Sequence, residues 1–486
     1  MIYSKYQEDI FRFMASNNEN LIVNAVAGSG KTSTILEAMN RLPQDQRCLF
    51  VAFNKHIADE LAAKVPMQAE ARTLHSLGMQ VLRDNRSGRM KVNKNKVANL
   101  IKYKMFDLDK QKKKCFTVLK PLCQLMALIK AHEHSDSSHW EELAEHYGVE
   151  TREDLTNNLD ILMELDRKQT SVIDFDDMIY QPIIFGYPFP NYDVVFVDEA
   201  QDLNPIQMTF VQRLKSRIIA VGDTNQAIYG FRGADTNAIS NLTARIGAKT
   251  LPLSICYRCP KSVVAEAKKL VPHIETFSGS PEGSVQNISL NSFREQVTAD
   301  AYVLCRVTAD LVEECMEQIR RGRKATVKGR DIGEGLKAEI NSMGLAASDT
   351  IDHMLNKLEA YRQERYEKLR HRETELAAAM DRIETIKVLA QESQYVGDVL
   401  CRIDTIFSDD GDGIVFCTVH KSKGLEASNI YILRPDLIPH PLCKKDWQRE
   451  QESNLKYVAI TRSLKNLYWV SNVNTTNAKD SEDSAN

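Results

Sequence analysis

Leu21-Ile22-Val23, then AVAGSGKT at residues 25–32, then STILEAMNRL at residues 33–42: these 21 residues decide the fold. A short run apolar on both faces reads as a buried parallel strand. The glycine-rich turn after it opens directly into a helical pattern. Successive backbone N–H groups of such a turn point at one spot, and the helix N-terminus adds partial positive charge there. That arrangement suits a polyphosphate, with Lys31 reaching the β- and γ-phosphates and the Thr32 hydroxyl on Mg²⁺. The strict pattern has Gly at its first position, where this chain has Ala25.

A phosphate loop needs a second half, an apolar strand ending in carboxylates. VVFVDEAQD, residues 194–202, supplies it. Asp198 at the strand end is placed to hold Mg²⁺, and Glu199 to act as general base on an attacking water. Adjacent acids are often merely solvated. A pair directly after four apolar residues is different, because burying charge without a partner is costly.

Further runs of the same kind are Cys48–Phe53, Val194–Val197 and Ile218–Val221, and then, much later, Ala301–Leu304 and Ile430–Leu433. Strands alternating with helical patterns predict an α/β fold with parallel sheets, and the late runs predict a second sheet. The expected fold is two α/β domains with parallel sheets, each carrying a short, mainly helical insertion. The first domain is expected over 1–84 and 186–253, interrupted by a helical insertion at 85–185. The second is expected over 254–330 and 398–472, interrupted by a reduced helical insertion at 331–397. Within the latter, KLEAYRQERYEKLRHRETELAAAMDRIETIK has Leu369, Leu376 and Ile383 seven apart. That suits a long helix or a helical hairpin with an apolar seam. Residues 473–486 hold too little apolar surface to fold and are expected to be a disordered tail.

The motifs in this order resemble the superfamily 1 DNA helicases of the UvrD/Rep/PcrA group, which implies that the two domains are RecA-like P-loop NTPase domains, and the resemblance runs from about residue 3 to 470. That family's phosphate loop commonly has Ala first, so Ala25 fits it. The resemblance implies an ATP site made of Gln7, which reads the adenine edge, and the loop Ala27, Gly28, Ser29, Gly30, Lys31, Thr32 and Ser33. VDEAQD (197–202) and VGDTNQAIYGFRGA (221–234) resemble the next two motifs, with Gln226 sensing the γ-phosphate. SICYRCP (254–260), TVHKSKGLE (418–426) and YVAITRS (457–463) resemble the motifs of the second domain. They imply adenine stacking by Tyr257, γ-phosphate contact by Arg258, ribose contact by Glu426, and Arg462 as arginine finger. The catalytic set so implied is Lys31, Asp198, Glu199, Gln226, Arg258 and Arg462, with ATP and Mg²⁺ as cofactors and Thr32 and Asp198 as metal ligands. FVAFNKHIADEL (50–61) and TLHSLG (73–78) resemble motifs that touch single-stranded DNA. The implied DNA track is Phe53, Asn54, Thr73, His75, Tyr229, Phe231 and Arg232 on the first domain, with Thr418 and His420 on the second. A platform of this sort is sequence-tolerant, because every base presents a π-face.

Implied partners are single-stranded DNA and ss/dsDNA junctions, with ssDNA-binding or recombination proteins beside them. The implied activity is an ATP-dependent, 3′→5′ DNA helicase and translocase. Other readings are a translocase that strips proteins from single strands, an RNA helicase, and a non-hydrolysing nucleotide-dependent binding subunit. The short insertions and 303–333 look closer to compact phage or bacterial relatives and to the F-box DNA helicase branch. This leaves open how duplex is engaged. The TRS at 461–463 departs from the family's usual TRA but keeps Arg462.

The totals fit this reading. The 486 residues are 43% hydrophobic and 27% charged, enough for several soluble domains. Net charge is −3, so a nucleic acid must be met by locally gathered basic groups. No apolar run nears the ~20 residues that span a bilayer, and the N-terminus lacks a signal-peptide pattern. No membrane partner is expected, and the expected location is the cytoplasm, nucleoid-associated, or the host cytoplasm for a phage protein. The ten cysteines are scattered, as for reduced thiols. Cys256 and Cys259 form one C-x-x-C, which is read as buried thiols because a metal normally needs four ligands. His132, His134, His139 and His146 lack metal-like spacing and are expected on a solvated surface.

Overall fold

The structure is a computed structural model that describes residues 3–105, 112–134, 137–149, 158–230, 237–370, 372–409 and 411–471. The chain divides into two compact units, Met1–Ser254 and Ile255–Asn486. Each is an α/β unit on a six-stranded sheet whose strands are all parallel, as the sequence predicts. The tail at 473–486 lies outside the described residues.

In the first unit the strands are β1 (Leu21–Ala25), β2 (Cys48–Ala52), β3 (Ala69–Thr73), β4 (Lys91–Val92), β5 (Val172–Ile173), β6 (Val194–Val197), β7 (Arg217–Gly222) and β8 (Lys249–Leu253). The main sheet runs β3-β2-β6-β7-β1-β8, and β4 pairs with β5 apart from it. Its central strands divide their side chains between two cores by simple alternation. Ile22, Leu49, Val51, Val195, Val197, Ile218 and Ala220 face one core. Leu21, Val23, Cys48, Phe50, Val194, Phe196, Ile219 and Val221 face the other. Two-sided burial is why these strands are apolar throughout. Because all six strands point the same way, the loops after β1, β2, β3, β6 and β7 emerge at one edge, where ligands of open α/β sheets collect.

The helices Lys96–Met105, Lys112–Ala131, Trp140–Tyr147 and Leu159–Lys168 lie within the stretch expected to be the first insertion. Their apolar faces join the first of the two cores, through Ile101, Leu122, Met126, Ile129, Leu159 and Leu162. Among them lies a cluster of buried charges. Lys96 Nζ stands 3.0 Å from Asp166 Oδ1 and 2.7 Å from Asp177 Oδ2. Lys130 Nζ stands 2.8 Å from Asp166 Oδ2, 2.9 Å from Asp177 Oδ1 and 3.5 Å from Asp174 Oδ2. Lys96 thus belongs to the interior. The three carboxylates could by themselves hold a cation, but the two ammonium groups already fill that role.

The cluster carries three acids on two bases. Burial, aided by Asp177 and Asp176 and opposed by Lys130, pushes the Asp174 carboxyl up to about 6. A carboxyl raised in the folded state stabilises most below its unfolded value, near 4, and that contribution is lost as pH rises through about 6. Asp174 also caps the helix Phe175–Ile184, accepting from Asp177 N at 2.9 Å, which asparagine can also do. Asp174→Asn is therefore expected to gain on wild type by about 2 kcal/mol between pH 4 and pH 7. Urea midpoints of both proteins across that range check it, and parallel curves would show that Asp174 does not titrate there.

The expected solvated surface of histidines is corrected in part. His132 and His134 are half-buried, because their rings pack locally. His132 Nε2 lies 3.1 Å from the Tyr147 hydroxyl, and His134 stacks on His139 at 4.2 Å.

The second unit holds β9 (Ile255–Cys256) paired with β10 (Glu275–Thr276), and a main sheet of β11 (Ser284–Ser289), β12 (Tyr302–Cys305), β13 (Ala325–Val327), β14 (Ile414–Thr418), β15 (Ala427–Leu433) and β16 (Ser463–Ser471). Its order is β11-β16-β15-β12-β14-β13. The charged segment of the insertion is a hairpin of two helices, Ile351–Leu369 and Glu373–Ala390. Leu369 and Leu376 bury against each other's neighbourhood at its tip. Ile383 joins Met354 and Leu358 in the core of the unit. The seam is thus used internally. No helix among the described residues is long and apolar enough to cross a membrane.

Candidate functional site

The loop after β1 takes its shape from two left-handed glycines, Gly28 (φ 66°) and Gly30 (φ 75°). A side chain at either would be strained. Gly30 starts the helix Lys31–Asn40, so the first-turn N–H groups open towards the loop. Thr32 Oγ1 donates to Asp198 Oδ2 at 3.0 Å, and Lys31 Nζ lies 3.8 Å from Glu199 Oε1. Gln7 Nε2 donates to Thr34 Oγ1 at 3.0 Å, which fixes the predicted adenine reader beside the same helix. Ala27 is buried, Ser33 exposed. Ser29 Oγ is buried without a hydrogen-bond partner, and a buried hydroxyl left so calls for an acceptor. That orphan, with the Lys31 ammonium beside Glu199 and a hydroxyl–carboxylate pair, fits a magnesium-bound triphosphate.

Burial, and next the charge of Glu199, push the Asp198 carboxyl up to about 6, with Lys31 and Thr32 opposing. A divalent cation there would relieve the cost of keeping it ionised. Glu199 itself sits in the left-handed region at φ 52°, a conformation a non-glycine residue holds only when its surroundings impose it.

The first-unit part of the predicted DNA track lies at the ends of β2 and β3 and after β7. Phe53 is 49% exposed and stacks on Tyr229 with ring centroids 6.2 Å apart and planes 10° apart. Asn54 and Thr73 are N-caps, accepting from Ile57 N at 2.9 Å and Ser76 N at 3.1 Å. Both therefore mark helix N-termini, which favour phosphate. His75 is held below its ordinary range by burial, with Asp176 opposing. It would meet a strand as a neutral ring. Phe231 and Arg232 lie outside the described residues. Sequence reading missed Phe175, 55% exposed and edge-on to His75 at 6.3 Å. An aromatic at a helix start amid acids was the available signal.

In the second unit, Arg258 Nη2 lies 2.5 Å from Glu426 Oε1, and its Nη1 donates to Thr461 O at 3.4 Å. Arg258, Glu426 and the turn before Arg462 thus form one group. Arg462 is almost wholly buried, donating from Nε to Val458 O at 2.9 Å and from Nη2 to Thr461 Oγ1 at 3.3 Å. Tyr257 is 37% exposed and meets Phe277, another exposed ring absent from the predicted set, at 5.0 Å. Cys256 and Cys259 are buried free thiols, as expected. Thr418 caps the turn Val419–Ser422, which carries His420, and Lys421 there is held by Asp331 at 2.8 Å.

Comparison with known proteins gives the same direction. Residues 6–246 match the family model of the UvrD/REP helicase N-terminal domain. The chain is similar to the F-box DNA helicase protein 1 of Schizosaccharomyces pombe, 25% identical over 95% of this chain and 56% of that protein. It is also similar to the putative ATP-dependent DNA helicase YjcD of Bacillus subtilis, at 23% over 63% and 56%. The ATP-dependent DNA helicase PcrA of Leuconostoc citreum is 26% identical over 52% and 37%. The chain spans about half the length of the curated relatives it matches. A solved arterivirus helicase, nonstructural protein 10, aligns over 97% of this chain and 62% of its own at 11% identity and a TM-score of 0.33, too low to argue from.

Proposed function

We propose, from the match of residues 6–246 to the UvrD/REP helicase N-terminal domain, that the chain is an ATP-driven motor that moves 3′→5′ along single-stranded DNA and separates strands at ss/dsDNA junctions. The observation that carries this is the grouping, in one unit, of Lys31, Thr32, Asp198 and Glu199 around a glycine loop whose Ser29 hydroxyl lacks a partner.

In this reading Lys31 and the loop N–H groups hold the phosphates, and Thr32 and Asp198 hold Mg²⁺. Held there, Mg²⁺ would supply positive charge to offset that of the triphosphate. Glu199 takes the proton of the attacking water. Gln7 and Tyr257 hold the base, and Glu426 the ribose. Gln226, Arg258 and Arg462 meet the γ-phosphoryl, so that charge developing on it is stabilised only when both units contribute. Turnover thereby reports closure of the two units. Phe53, Asn54, Thr73, His75, Tyr229, Phe231 and Arg232 grip the strand in alternation with Thr418 and His420. A binding subunit that does not hydrolyse has little use for both a base and two arginines.

The test is ATP turnover with and without single-stranded DNA or RNA, together with strand separation on duplexes carrying 3′ or 5′ single-stranded tails. The expected result is stimulation by DNA and separation only of the 3′-tailed duplex. Stimulation by RNA alone would overturn the substrate. Turnover with displacement of a bound protein but no strand separation would make it a stripping translocase. No nucleic-acid response at all would end the motor reading.

A further inference from the structure

We infer that Gln201 is the positioning residue that joins the ATP-splitting carboxylate to the DNA-gripping segment, an inference that rests on the motor reading above. Gln201 lies in the turn Ala200–Asp202 and is 1% exposed. Its amide nitrogen donates to Glu199 Oε2, and its amide oxygen accepts from Asp223 N at 3.0 Å. Asp223, wholly buried at the end of β7, accepts Gln226 Nε2 on Oδ2 at 2.7 Å and Asn225 N on Oδ1 at 3.0 Å. A continuous chain of hydrogen bonds therefore runs Glu199–Gln201–Asp223–Gln226. Three residues beyond its end, Tyr229 stacks on Phe53.

A second observation shows that the approach is tight by construction. A Cβ on Gly222 would come within 2.5 Å of Gln201 Oε1 and 3.0 Å of Gln201 N. Only glycine at 222 lets the amide reach Asp223 N–H. Geometry also selects the residue type at 201. One planar group must donate at one end and accept at the other. Glutamate has no donor when ionised, methionine has neither function, and asparagine is one methylene short. A small displacement of Glu199 on splitting of the nucleotide is thus passed on at fixed bond lengths, because a buried network of this kind resists partial satisfaction.

A purely space-filling Gln201 predicts lost stability and nothing more specific, so the test measures coupling. The affinity of the full chain for an oligo(dT) strand is measured with and without a non-hydrolysable ATP analogue, and the ratio is the coupling factor. In Gln201→Met, which severs both ends at similar volume, the factor is expected to fall roughly tenfold towards one. The DNA-stimulated kcat should fall with it, while KM for ATP and analogue binding without DNA stay near wild type. Gln201→Glu retains the bond to Asp223 N–H but opposes Glu199, and is expected to lose coupling as well. It serves as the deciding variant if Gln201→Met proves unstable. Coupling present in wild type and unchanged in the folded variant would overturn this role and leave the motor reading intact. Absence of coupling in wild type would overturn both.

Discussion

Replacing Lys31 by alanine is expected to lower ATP turnover by roughly 10³-fold, while affinity for single-stranded DNA stays close to wild type. The ammonium is largely shielded from solvent, begins the helix Lys31–Asn40 and lies 3.8 Å from Glu199 Oε1. It is therefore aimed at the position where negative charge must be held and then redistributed. Alanine is a good helix former, so the first turn survives the change. No described bond ties Lys31 to Phe53, Asn54, Thr73 or His75, so the track keeps its shape. Coupled-assay turnover and fluorescence anisotropy of a labelled oligo(dT) separate the two effects. Near-normal turnover in the variant would remove Lys31 from the site. Equal loss of DNA binding and turnover would mean that the lysine holds the fold and not the nucleotide.

Much of this was legible because buried parallel strands leave a plain mark. LIV, CLFVAF, VVFV and IIAV each fall on a strand of the first sheet, and AYVL and IYIL fall on strands of the second. Boundaries moved by up to three residues, since hydrogen-bond pairing and not hydrophobicity sets a strand's end. The edge strands were hidden for a physical reason. AEART and KTLPL are half-exposed and carry the polar residues that an edge requires. IVFCT at 414–418 has the same look as the recognised runs and nothing in its chemistry hid it. At the site, the loop and the acid pair were readable because their chemistry is local. Gln201 was not, although it stands two residues after Glu199 in VDEAQD. A glutamine becomes informative only when a neighbouring strand delivers Asp223 N–H to its other end. Asn54, Thr73 and Thr418 act as helix caps as well as candidate DNA contacts, a double use that spacing alone does not separate.

The buried charges were the least legible element, and they give the other large effect. Lys130 is expected to be indispensable to the first unit: Lys130→Met should cost about 3–5 kcal/mol. Its one sequence signal is that it follows LMALI, residues 125–129, on the apolar side of its helix, while its partners lie 36 to 47 residues later. Desolvation disfavours a charged lysine, yet Asp177, Asp166 and Asp174 outweigh it and hold Lys130 far above its ordinary range. With methionine in its place, Asp166, Asp174 and Asp177 would share Lys96 alone, and at least one carboxylate would have to bind a proton or open to water. The consequence reaches the DNA side, because Asp174 and Asp177 form the capping box of the helix that begins with Phe175, beside His75. Chemical denaturation read by circular dichroism should show the transition of the first unit moved to much lower urea, with the loss partly recovered at acid pH as the orphaned carboxylates protonate. A double change, Lys130→Met with Asp177→Asn, should be less damaging than the sum of its parts, since each removes the reason for the other. Unchanged stability in the single variant, or strict additivity in the double, would mean that water and not the ammonium satisfies these acids.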